Sequence, residues 1–333
     1  MIITKTPFRM SFFGGGTDME LFFKEYGGAV LSTTIDKYCY VTVRHLPRFF
    51  EYRTHLTYSA MEYVNENGEI KHPLIRNAMQ MLDMQELRLT YDADLPARSG
   101  LGTSSSFAVG LLNAFYALKG KYVGKKQLAD EAIYLERVLC GEAGGWQDQI
   151  AAAFGGFNRI QFSRDGYEVR PVIISSDRKE ELNNHLMMFF TGFTRFSSEI
   201  QKQNPTVTTD KIRQLQEIYA LVDEAEQVLT NNKTDLDMFG RLLDYTWQLK
   251  RQTSSAISTS TIDELYRKGI KAGALGGKLL GAGGGGFLVF YVKPEQQENV
   301  RKALKELLYI PFRFEDGGTN VVHYVPETFS KEK

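Results

Sequence analysis

The stretch LPARSGLGTSSSF, residues 95–107, places a glycine–leucine–glycine turn directly before four consecutive hydroxyl side chains. Glycine lets backbone N–H groups approach an anion closely, and a helix N-terminus adds about half a positive charge and several unpaired N–H donors. The stretch therefore predicts a phosphate-binding loop whose hydroxyls can cap the helix, bind phosphate oxygens or ligate Mg²⁺. We call it the phosphate loop, and its members are Gly100, Leu101, Gly102, Thr103, Ser104, Ser105 and Ser106.

Simpler or commoner explanations of this stretch fit less well. A plain helix N-cap needs one hydroxyl and no preceding glycine pair. No Walker A string, G-x-x-x-x-G-K-[ST], occurs in the chain. The run GAGGGG at 281–286 formally contains G-x-G-x-x-G, but a strand rather than a helix is predicted after it, which disfavours a dinucleotide site. Its five glycines instead predict close backbone approach to the phosphate loop, with Gly283 and Gly284 as candidate nucleotide-binding residues.

Glu136 is the next candidate, because it is a lone charge among apolar positions. On a helix over 127–140, steps of about 100° place Glu136 beside Ala129 and Ala132, whereas the other charges fall on the opposite arc. A buried carboxylate without a partner is costly. The partner is either a metal ion, for which we favour Mg²⁺, or an arginine or water at the edge of the helix.

The elements that must position these groups form an α+β pattern of two lobes, without the regular βαβ period of a doubly wound sheet. We expect an N-terminal domain over 1–165 and a C-terminal domain over 166–333. Strands are predicted from alternating or β-branched runs at 2–13, 37–45, 86–94, 186–193 and 287–292. Helices are predicted from apolar spacings of three and four at 104–118, 127–140, 210–229, 235–250, 262–272 and 294–308.

Composition excludes several classes of function. Lys+Arg and Asp+Glu are both 40, so the chain lacks the basic excess of a nucleic-acid binder. Its two cysteines, Cys39 and Cys140, are far apart and predict neither a disulfide framework nor a zinc site. No signal peptide is evident, and the longest apolar run is far below the ~18 residues of a membrane span. We therefore expect a cytoplasmic protein with no membrane or nucleic-acid partner; its oligomeric state stays open.

Three stretches together resemble the GHMP kinase superfamily, named for its galactokinase, homoserine, mevalonate and phosphomevalonate members. They are TPFRMSFFGGGTD at 6–18, LPARSGLGTSS at 95–105 and GGKLLGAGGGGF at 276–287, in that order along nearly the whole chain. The resemblance implies the two-lobed GHMP kinase fold. Its N-terminal lobe would be like the second domain of ribosomal protein S5, its C-terminal lobe ferredoxin-like, and ATP and a sugar or sugar phosphate would bind between them.

The resemblance also implies roles for single residues. Ser104 and Glu136 would ligate Mg²⁺, and Asp148 would be the catalytic aspartate that accepts the proton of the acceptor hydroxyl. Arg9 would stabilise charge on the transferred phosphoryl group. The alternative for Asp148 is an acidic residue that merely begins a helix.

The acceptor is expected to contact the GGGTD stretch, for which galactokinase-like members have GEHTD. Its candidate residues are Gly14, Gly15, Gly16, Thr17 and Asp18. The resemblance implies that Asp18 accepts hydrogen bonds from sugar hydroxyls. Gly15 and Gly16 replace Glu and His, which disfavours galactose and leaves either room for a larger sugar or a backbone surface for an anion.

The stretches GGWQDQ and TGFTRFSSEIQKQ resemble the branch of the family that phosphorylates the anomeric hydroxyl of sugars, a heptose phosphate foremost. Arg195 is the candidate for binding the sugar's own phosphate, and its alternative is a surface salt bridge. Two other functions stay open at this stage: a neutral-sugar 1-kinase acting on a sugar like fucose or galactose, and a non-catalytic regulator that binds sugar and ATP.

Overall fold

Two long strands begin the fold, and both arise from the β-rich first 45 residues. The computed structural model describes residues 1–97, 99–192, 209–254, 256–281 and 283–325. Strand β1 (Ile2–Phe13) pairs antiparallel with β2 (Gly28–His45), and the register shifts between Pro7 and Phe8. Proline has no N–H to donate to a ladder, so an irregularity in the pairing is where it is tolerated inside a sheet.

These two strands are the centre of the larger sheet. Seven further strands complete it: β3 (Thr54–Thr57), β4 (Met61–Val64), β5 (Leu87–Ala93), β6 (Asn158–Ser163), β7 (Gly166–Pro171), β12 (Phe314–Glu315) and β13 (Asn320–Tyr324). The main order is β13-β1-β2-β5-β3-β4, with β6 and β12 also pairing with β2 and β7 pairing with β6. Only β3 and β5 run parallel among the paired strands that the structure describes.

The smaller sheet has the ferredoxin-like arrangement that the family resemblance implies. Its strands are β8 (Leu186–Phe190), β9 (Ala274–Leu279), β10 (Phe287–Val292) and β11 (Leu308–Ile310). They are antiparallel in the order β11-β8-β10-β9. Helices separate β8 from β9 and β10 from β11, so the sequence of elements is β-α-β-β-α-β.

Ten α-helices are described: α1 (Glu20–Tyr26), α2 (Pro73–Met81), α3 (Thr103–Leu118), α4 (Lys125–Ile133), α5 (Gln147–Phe154), α6 (Ser176–His185), α7 (Thr209–Thr230), α8 (Asp237–Gln252), α9 (Ser260–Lys271) and α10 (Gln297–Ala303). Short 3₁₀ turns lie at Asn67–Glu69 and Pro294–Gln296. A π-helix, Tyr134–Leu139, continues α4. Helix α3 packs on β1, because Gly110 brings its backbone against Thr4 and Thr6 and accepts a 2.9 Å hydrogen bond from Thr4 Oγ1.

The end of the chain returns to the N-terminal sheet. Strand β13 pairs with β1, and β12 pairs with β2. Strand β7, on the far side of the expected boundary at 165, pairs with β6. The expected division into 1–165 and 166–333 therefore differs from the division of strands between the sheets. No local pattern in the sequence reports such long-range pairings.

A shared core joins the two sheets. Phe12 and Phe13 of β1 pack edge-on against Phe239 of α8, with ring centroids 5.3 and 5.1 Å apart. Lys278 of β9, only 2% exposed, donates a 2.7 Å hydrogen bond to the Phe12 carbonyl. The loops that carry the candidate site are therefore fixed from both lobes. Over the described residues, no helix combines the length and apolarity required to cross a membrane.

Candidate active site

The phosphate loop runs into α3, which begins at Thr103, directly after the glycine turn. Gly100 and Gly102 have φ of +86° and +71°, a conformation that favours glycine. A Cβ on Gly100 would lie 2.3 Å from the Leu280 carbonyl oxygen, and one on Gly102 would lie 3.2 Å from Arg9 Cγ and 3.3 Å from Asp148 Cγ. The loop is thus a backbone cradle that side chains would fill, at the positive end of a buried helix.

The second glycine run presses against this cradle. A Cβ on Gly281 would lie 2.4 Å from Gly100 Cα, and one on Gly286 would lie 2.2 Å from the Ser99 carbonyl oxygen. The close backbone approach predicted from the sequence is therefore present. Gly283 and Gly284 instead pack on Ile257, whose carbonyl accepts a 2.9 Å hydrogen bond from the Gly284 N–H. Nucleotide binding by these two glycines stays a prediction.

Arg9 and Asp148 form an ion pair beneath the cradle. Nε and Nη2 of Arg9 donate to the two carboxylate oxygens of Asp148 at 2.8 and 3.0 Å, and Nη1 donates to the Gly100 carbonyl at 2.5 Å. The arginine side chain is 5% exposed and the aspartate side chain 25% exposed. Asp148 lies in the first turn of α5. The pair therefore presents a carboxylate, held in two-point geometry, to the mouth of the cradle.

The four hydroxyl residues of the phosphate loop differ in exposure, although the sequence predicts that several of them face phosphate. Ser104 is exposed, whereas Thr103, Ser105 and Ser106 are buried. Ser106 Oγ donates to the Pro7 carbonyl at 2.9 Å, and its N–H donates to the Gly102 carbonyl. The Ser105 hydroxyl points inward to Glu136. The hydroxyls of Ser105 and Ser106 therefore hold the start of α3 against Glu136 and Pro7, and phosphate binding by these two residues stays a prediction.

Glu136 is buried as the helical pattern predicts, at 1% exposure. It accepts hydrogen bonds from Ser104 Oγ at 3.0 Å, Ser105 Oγ at 2.6 Å and Gln149 Nε2 at 2.5 Å. Burial raises the pKa of this carboxyl, although the nearby Arg137 opposes the change. The local backbone is a π-helix, and the Cys140 N–H donates to the Leu135 carbonyl five residues back. Such turns occur frequently at functional sites.

The donor set around Glu136 fits a magnesium ion. One carboxylate oxygen and the exposed Ser104 hydroxyl lie 3.0 Å apart at the start of α3. Mg²⁺ takes oxygen ligands and usually keeps only one or two from the protein, with water and substrate phosphates supplying the rest. Among the described residues no group of three or more His, Cys, Asp or Glu side chains could hold a metal. The residues therefore suit a metal that arrives with phosphate rather than an all-protein cage.

The GGGTD loop is held tightly, and only part of it faces open space. A Cβ on Gly14 would lie 1.8 Å from the Ala29 carbonyl oxygen. Thr17 is fully buried, and its hydroxyl donates to the Gly14 and Ala29 carbonyls at 2.8 and 2.9 Å. Gly14 and the Thr17 side chain therefore hold the loop against β2. Contact of these two residues with the acceptor stays a prediction.

Asp18 joins this loop to α5. Its carboxylate oxygens accept hydrogen bonds from the Gly16 N–H at 2.9 Å and the Gln147 N–H at 3.3 Å. Burial is the main cause that raises the pKa of Asp18, and the two backbone hydrogen bonds oppose it. Gly145 approaches so closely that a Cβ would lie 1.9 Å from Asp18 Oδ2. Asp18 thus stands beside Asp148, as the expected acceptor site requires.

Lys250, near the end of α8, is a site residue that the sequence does not reveal. Its Nζ donates to the Gly281 carbonyl at 2.9 Å and would lie 3.7 Å from a Cβ on Gly15. The pKa of Lys250 is lowered to about 8, chiefly by burial and also by Arg9, while Asp18 and Asp148 oppose the shift. No motif marks Lys250, because α7 and α8 bring it to the glycine runs only through tertiary packing.

Arg137 and Gln149 are two further residues near the site that no sequence motif marks. Arg137 donates to the backbone carbonyls of Glu142, Ala143 and Gly145, which fastens the loop leading to α5. Gln149 is fully buried against Glu136. Arg195, the candidate for the sugar's own phosphate, lies outside the described residues.

An anion-binding helix terminus that faces an arginine–carboxylate pair between two α+β lobes defines a phosphotransferase type of site. Comparison with known families agrees. Residues 57–156 match the GHMP kinases N terminal domain, and residues 218–310 match the GHMP kinases C terminal domain. The chain belongs to the GHMP kinase family, which implies the use of ATP.

Similar proteins narrow the place within the family. The chain is 30% identical to the D-glycero-alpha-D-manno-heptose 7-phosphate kinase of Campylobacter jejuni subsp. jejuni, over 92% of this chain and 93% of that protein. It is 27% identical to the bifunctional fucokinase/GDP-fucose pyrophosphorylase of Arabidopsis thaliana, over 68% of this chain and 22% of that protein. A D-glycero-D-manno-heptose 1-phosphate kinase structure from Bacteroides thetaiotaomicron superimposes with a TM-score of 0.79 at 27% identity, over 97% and 99% of the chains.

Proposed function

We propose that the protein phosphorylates the anomeric hydroxyl of a sugar phosphate with ATP. The substrate would be D-glycero-D-manno-heptose 7-phosphate and the product the 1,7-bisphosphate, an intermediate for nucleotide-heptose synthesis. The observation that carries the proposal is the partly exposed Asp148 carboxylate. It is held by two hydrogen bonds from Arg9 and lies directly against Gly102 of the phosphate loop.

The chemistry follows from that placement. The Asp148 carboxylate accepts the proton of the acceptor hydroxyl as its oxygen forms a bond to the γ-phosphorus of ATP, and the bond from that phosphorus to the β-phosphate oxygen breaks to release ADP. Positioned proton transfer of this kind contributes typically ~10²–10⁴-fold to a rate. The Arg9 guanidinium, fixed by Asp148 and the Gly100 carbonyl, adds positive charge where the phosphoryl group passes.

The phosphate loop and Glu136 hold the nucleotide end. The backbone of Gly100–Ser104 would receive the phosphates at the N-terminus of α3. Ser104 and Glu136 would hold Mg²⁺, which when bound offsets phosphate charge. Ser105 and Gln149 keep the Glu136 carboxylate turned toward Ser104, since both donate hydrogen bonds to its second oxygen.

Asp18 supports the acceptor end. The fixed carboxylate can accept hydrogen bonds from sugar hydroxyls next to Asp148, because its own backbone donors hold it in one orientation. The heptose 7-phosphate kinase of Campylobacter jejuni supports a phosphorylated heptose as the acceptor. The similar structure from Bacteroides thetaiotaomicron is of a D-glycero-D-manno-heptose 1-phosphate kinase, so the assay must also establish which position of the acceptor carries its phosphate.

The test is ADP release from Mg·ATP over a panel of acceptors. The panel contains D-glycero-D-manno-heptose 7-phosphate, the same heptose without phosphate, L-fucose, D-galactose and mevalonate. We expect turnover with the heptose 7-phosphate at a kcat/KM far above that of the others. Turnover only with unphosphorylated sugars would overturn the sugar-phosphate assignment.

The second candidate is a neutral-sugar 1-kinase, which the similarity to the fucokinase region of the Arabidopsis protein favours. Preferential turnover of L-fucose in the same panel would establish it. No turnover with any acceptor would leave the non-catalytic sugar- and ATP-binding regulator. A cytoplasmic location remains a prediction from the sequence.

A further inference from the structure

Gly15 differs from its neighbours because no backbone packing requires a glycine there. A Cβ on Gly15 would meet only ordinary contacts, at 3.7 Å to Lys250 Nζ and 3.9 Å to both Gln147 Nε2 and Ser11 Oγ. The corresponding position of Gly14 is filled by backbone at 1.8 Å. The Cβ position of Gly15 thus lies at contact distance from a lysine ammonium, an amide nitrogen and a hydroxyl. We call the space around this position the Gly15 pocket.

The polar groups of the Gly15 pocket have unused hydrogen-bonding capacity. Ser11 is 5% exposed, and among the described residues its Oγ has no hydrogen-bond partner. The Gln147 Nε2 atom, 3.9 Å from the Cβ position of Gly15, is the part of this side chain that can donate to an anion. An ammonium has three N–H donors. Lys250 uses one of them on the Gly281 carbonyl. The pocket therefore offers several hydrogen bonds to an entering group.

The charge of the Gly15 pocket favours an anion. Within the described residues no carboxylate lies within 4 Å of Lys250 Nζ, and the Asp148 carboxylate is occupied by two bonds from Arg9. Lys278 is a second buried amine close by, but burial, Lys250 and Arg9 all lower its pKa, so the positive charge of the pocket comes chiefly from Lys250. The carboxylates of Asp18 and Asp148 act on the charge of Lys250 from beyond ion-pair distance, and an entering anion would give the buried ammonium a direct partner. A neutral sugar hydroxyl supplies no such compensation.

We propose that the Gly15 pocket, lined by Ser11, Gln147 and Lys250, binds the acceptor's own phosphate group. The proposal rests on the proposed function, because it names the group that makes the acceptor a sugar phosphate. The proposal also explains why residue 15 is a glycine. The galactokinase-like GEHTD stretch has a glutamate at this position, whose carboxylate would pair with Lys250 and repel a phosphate. Glycine leaves the ammonium available and the space open.

The experiment measures binding by isothermal titration calorimetry without ATP or metal. The probes are D-glycero-D-manno-heptose 7-phosphate and the same heptose without phosphate. We expect Lys250→Met to weaken binding of the phosphorylated heptose by about 10- to 100-fold, as lost charge-assisted hydrogen bonds imply, and binding of the unphosphorylated heptose by less than about threefold. Lys302→Met is the matched control, because Lys302 is exposed and paired with Glu298.

A second pair of variants protects the test against misfolding. Gly15→Glu and Gly15→Gln introduce side chains of equal size at a position with ordinary contacts. Both side chains would occupy the position proposed for the phosphate, so both should reduce the preference for the phosphorylated heptose, and the glutamate, which would also pair with Lys250, should reduce it more. Equal loss with both probes in Lys250→Met, or an unchanged preference for the phosphorylated heptose in both Gly15 variants, would overturn the proposal. Because ATP is absent, failure of the kinase function would appear separately, as binding without ADP release.

Discussion

At the scale of single residues, the site depends on the ion pair between Arg9 and Asp148. The arginine is almost fully buried, and its guanidinium donates hydrogen bonds to the Asp148 carboxylate and to the Gly100 carbonyl. Fixing both groups in advance removes reorganisation from the reaction, which is where electrostatic catalysis gains most. The pair also explains why the position of Gly102 lacks a side chain: a Cβ would crowd both partners.

Asp148→Asn tests the carboxylate directly. The amide keeps the shape but accepts no proton, so kcat should fall by about 10²- to 10⁴-fold. Binding of ADP should change little, because the phosphate loop is untouched. The measurement is ADP release at saturating heptose 7-phosphate, with nucleotide binding by calorimetry. Full activity in the variant would remove Asp148 as the general base.

Lys250 predicts a pH dependence. Its pKa is lowered to about 8, chiefly by burial, with Arg9 acting in the same direction and Asp18 and Asp148 opposing it. Lys278 is a further buried amine beside it. Only the protonated ammonium attracts a phosphate, so kcat/KM for the heptose 7-phosphate should fall as the pH rises through about 8. A pH–rate profile of Lys250→Met should lack this descending limb, and an unchanged limb would assign it to another group.

Glu136 predicts opposite effects on stability and on metal binding. Burial raises its pKa in the folded state, so stability from the protonated form is present at low pH and is lost as the pH rises through the folded pKa. Glu136→Gln, which cannot ionise, should therefore be at least as stable as the wild type at pH 7 in EDTA. It should also lose most of the rise in Tm that Mg·ADP gives. Urea unfolding in EDTA and thermal melts with Mg·ADP measure the two effects, and full Mg·ADP stabilisation would contradict the ligand role.

At the scale of elements, two glycine runs from different lobes form one wall. Gly100 and Gly281 meet with backbone on backbone, and both have positive φ. This contact explains why the glycines cluster at the ends of β9 and before α3. A side chain at either Gly100 or Gly281 would meet the backbone of the other loop, so the contact requires glycine on both sides.

Gly100→Ala should destabilise the protein by about 1–3 kcal/mol, since a strained φ and a 2.3 Å approach to the Leu280 carbonyl act together. Gly68→Ala is the control, because no heavy atom lies within 4 Å of the added Cβ and its φ is ordinary. Urea unfolding of both variants gives the free-energy difference. A Gly100→Ala variant as stable as the control would show that the two loops are not in fixed contact.

Local patterns predicted these elements better than they predicted side-chain contacts. Apolar spacing foretold α3, with one residue of difference at its start, and placed Glu136 inside. It could not foretell the π-helix that carries Glu136, because a single extra residue per turn leaves no signature in periodicity. Apolar spacing also could not predict the different orientations of the hydroxyls of Ser104, Ser105 and Ser106. These orientations depend on Pro7 and Glu136, which are distant in the sequence.

At the scale of the whole molecule, the site exists only where the two sheets meet. The Lys278 ammonium of β9 reaches the Phe12 carbonyl of β1, and α8 carries both Phe239 of the shared core and Lys250 of the site. The three motifs indicate the family from the sequence alone, because glycines that a special backbone conformation requires form recognisable sequence patterns. The sequence does not indicate that Lys250 lies at the site, because packing between the two lobes brings it there.

The central claim is that a new phosphate ester forms at the anomeric carbon of a heptose that already carries a phosphate. Phosphorus NMR of a reaction containing Mg·ATP and D-glycero-D-manno-heptose 7-phosphate tests it most directly. The account predicts a second sugar phosphate resonance, coupled to the anomeric proton, that grows in step with ADP while the 7-phosphate resonance persists. A new ester on any other carbon, or release of inorganic phosphate alone, would contradict it.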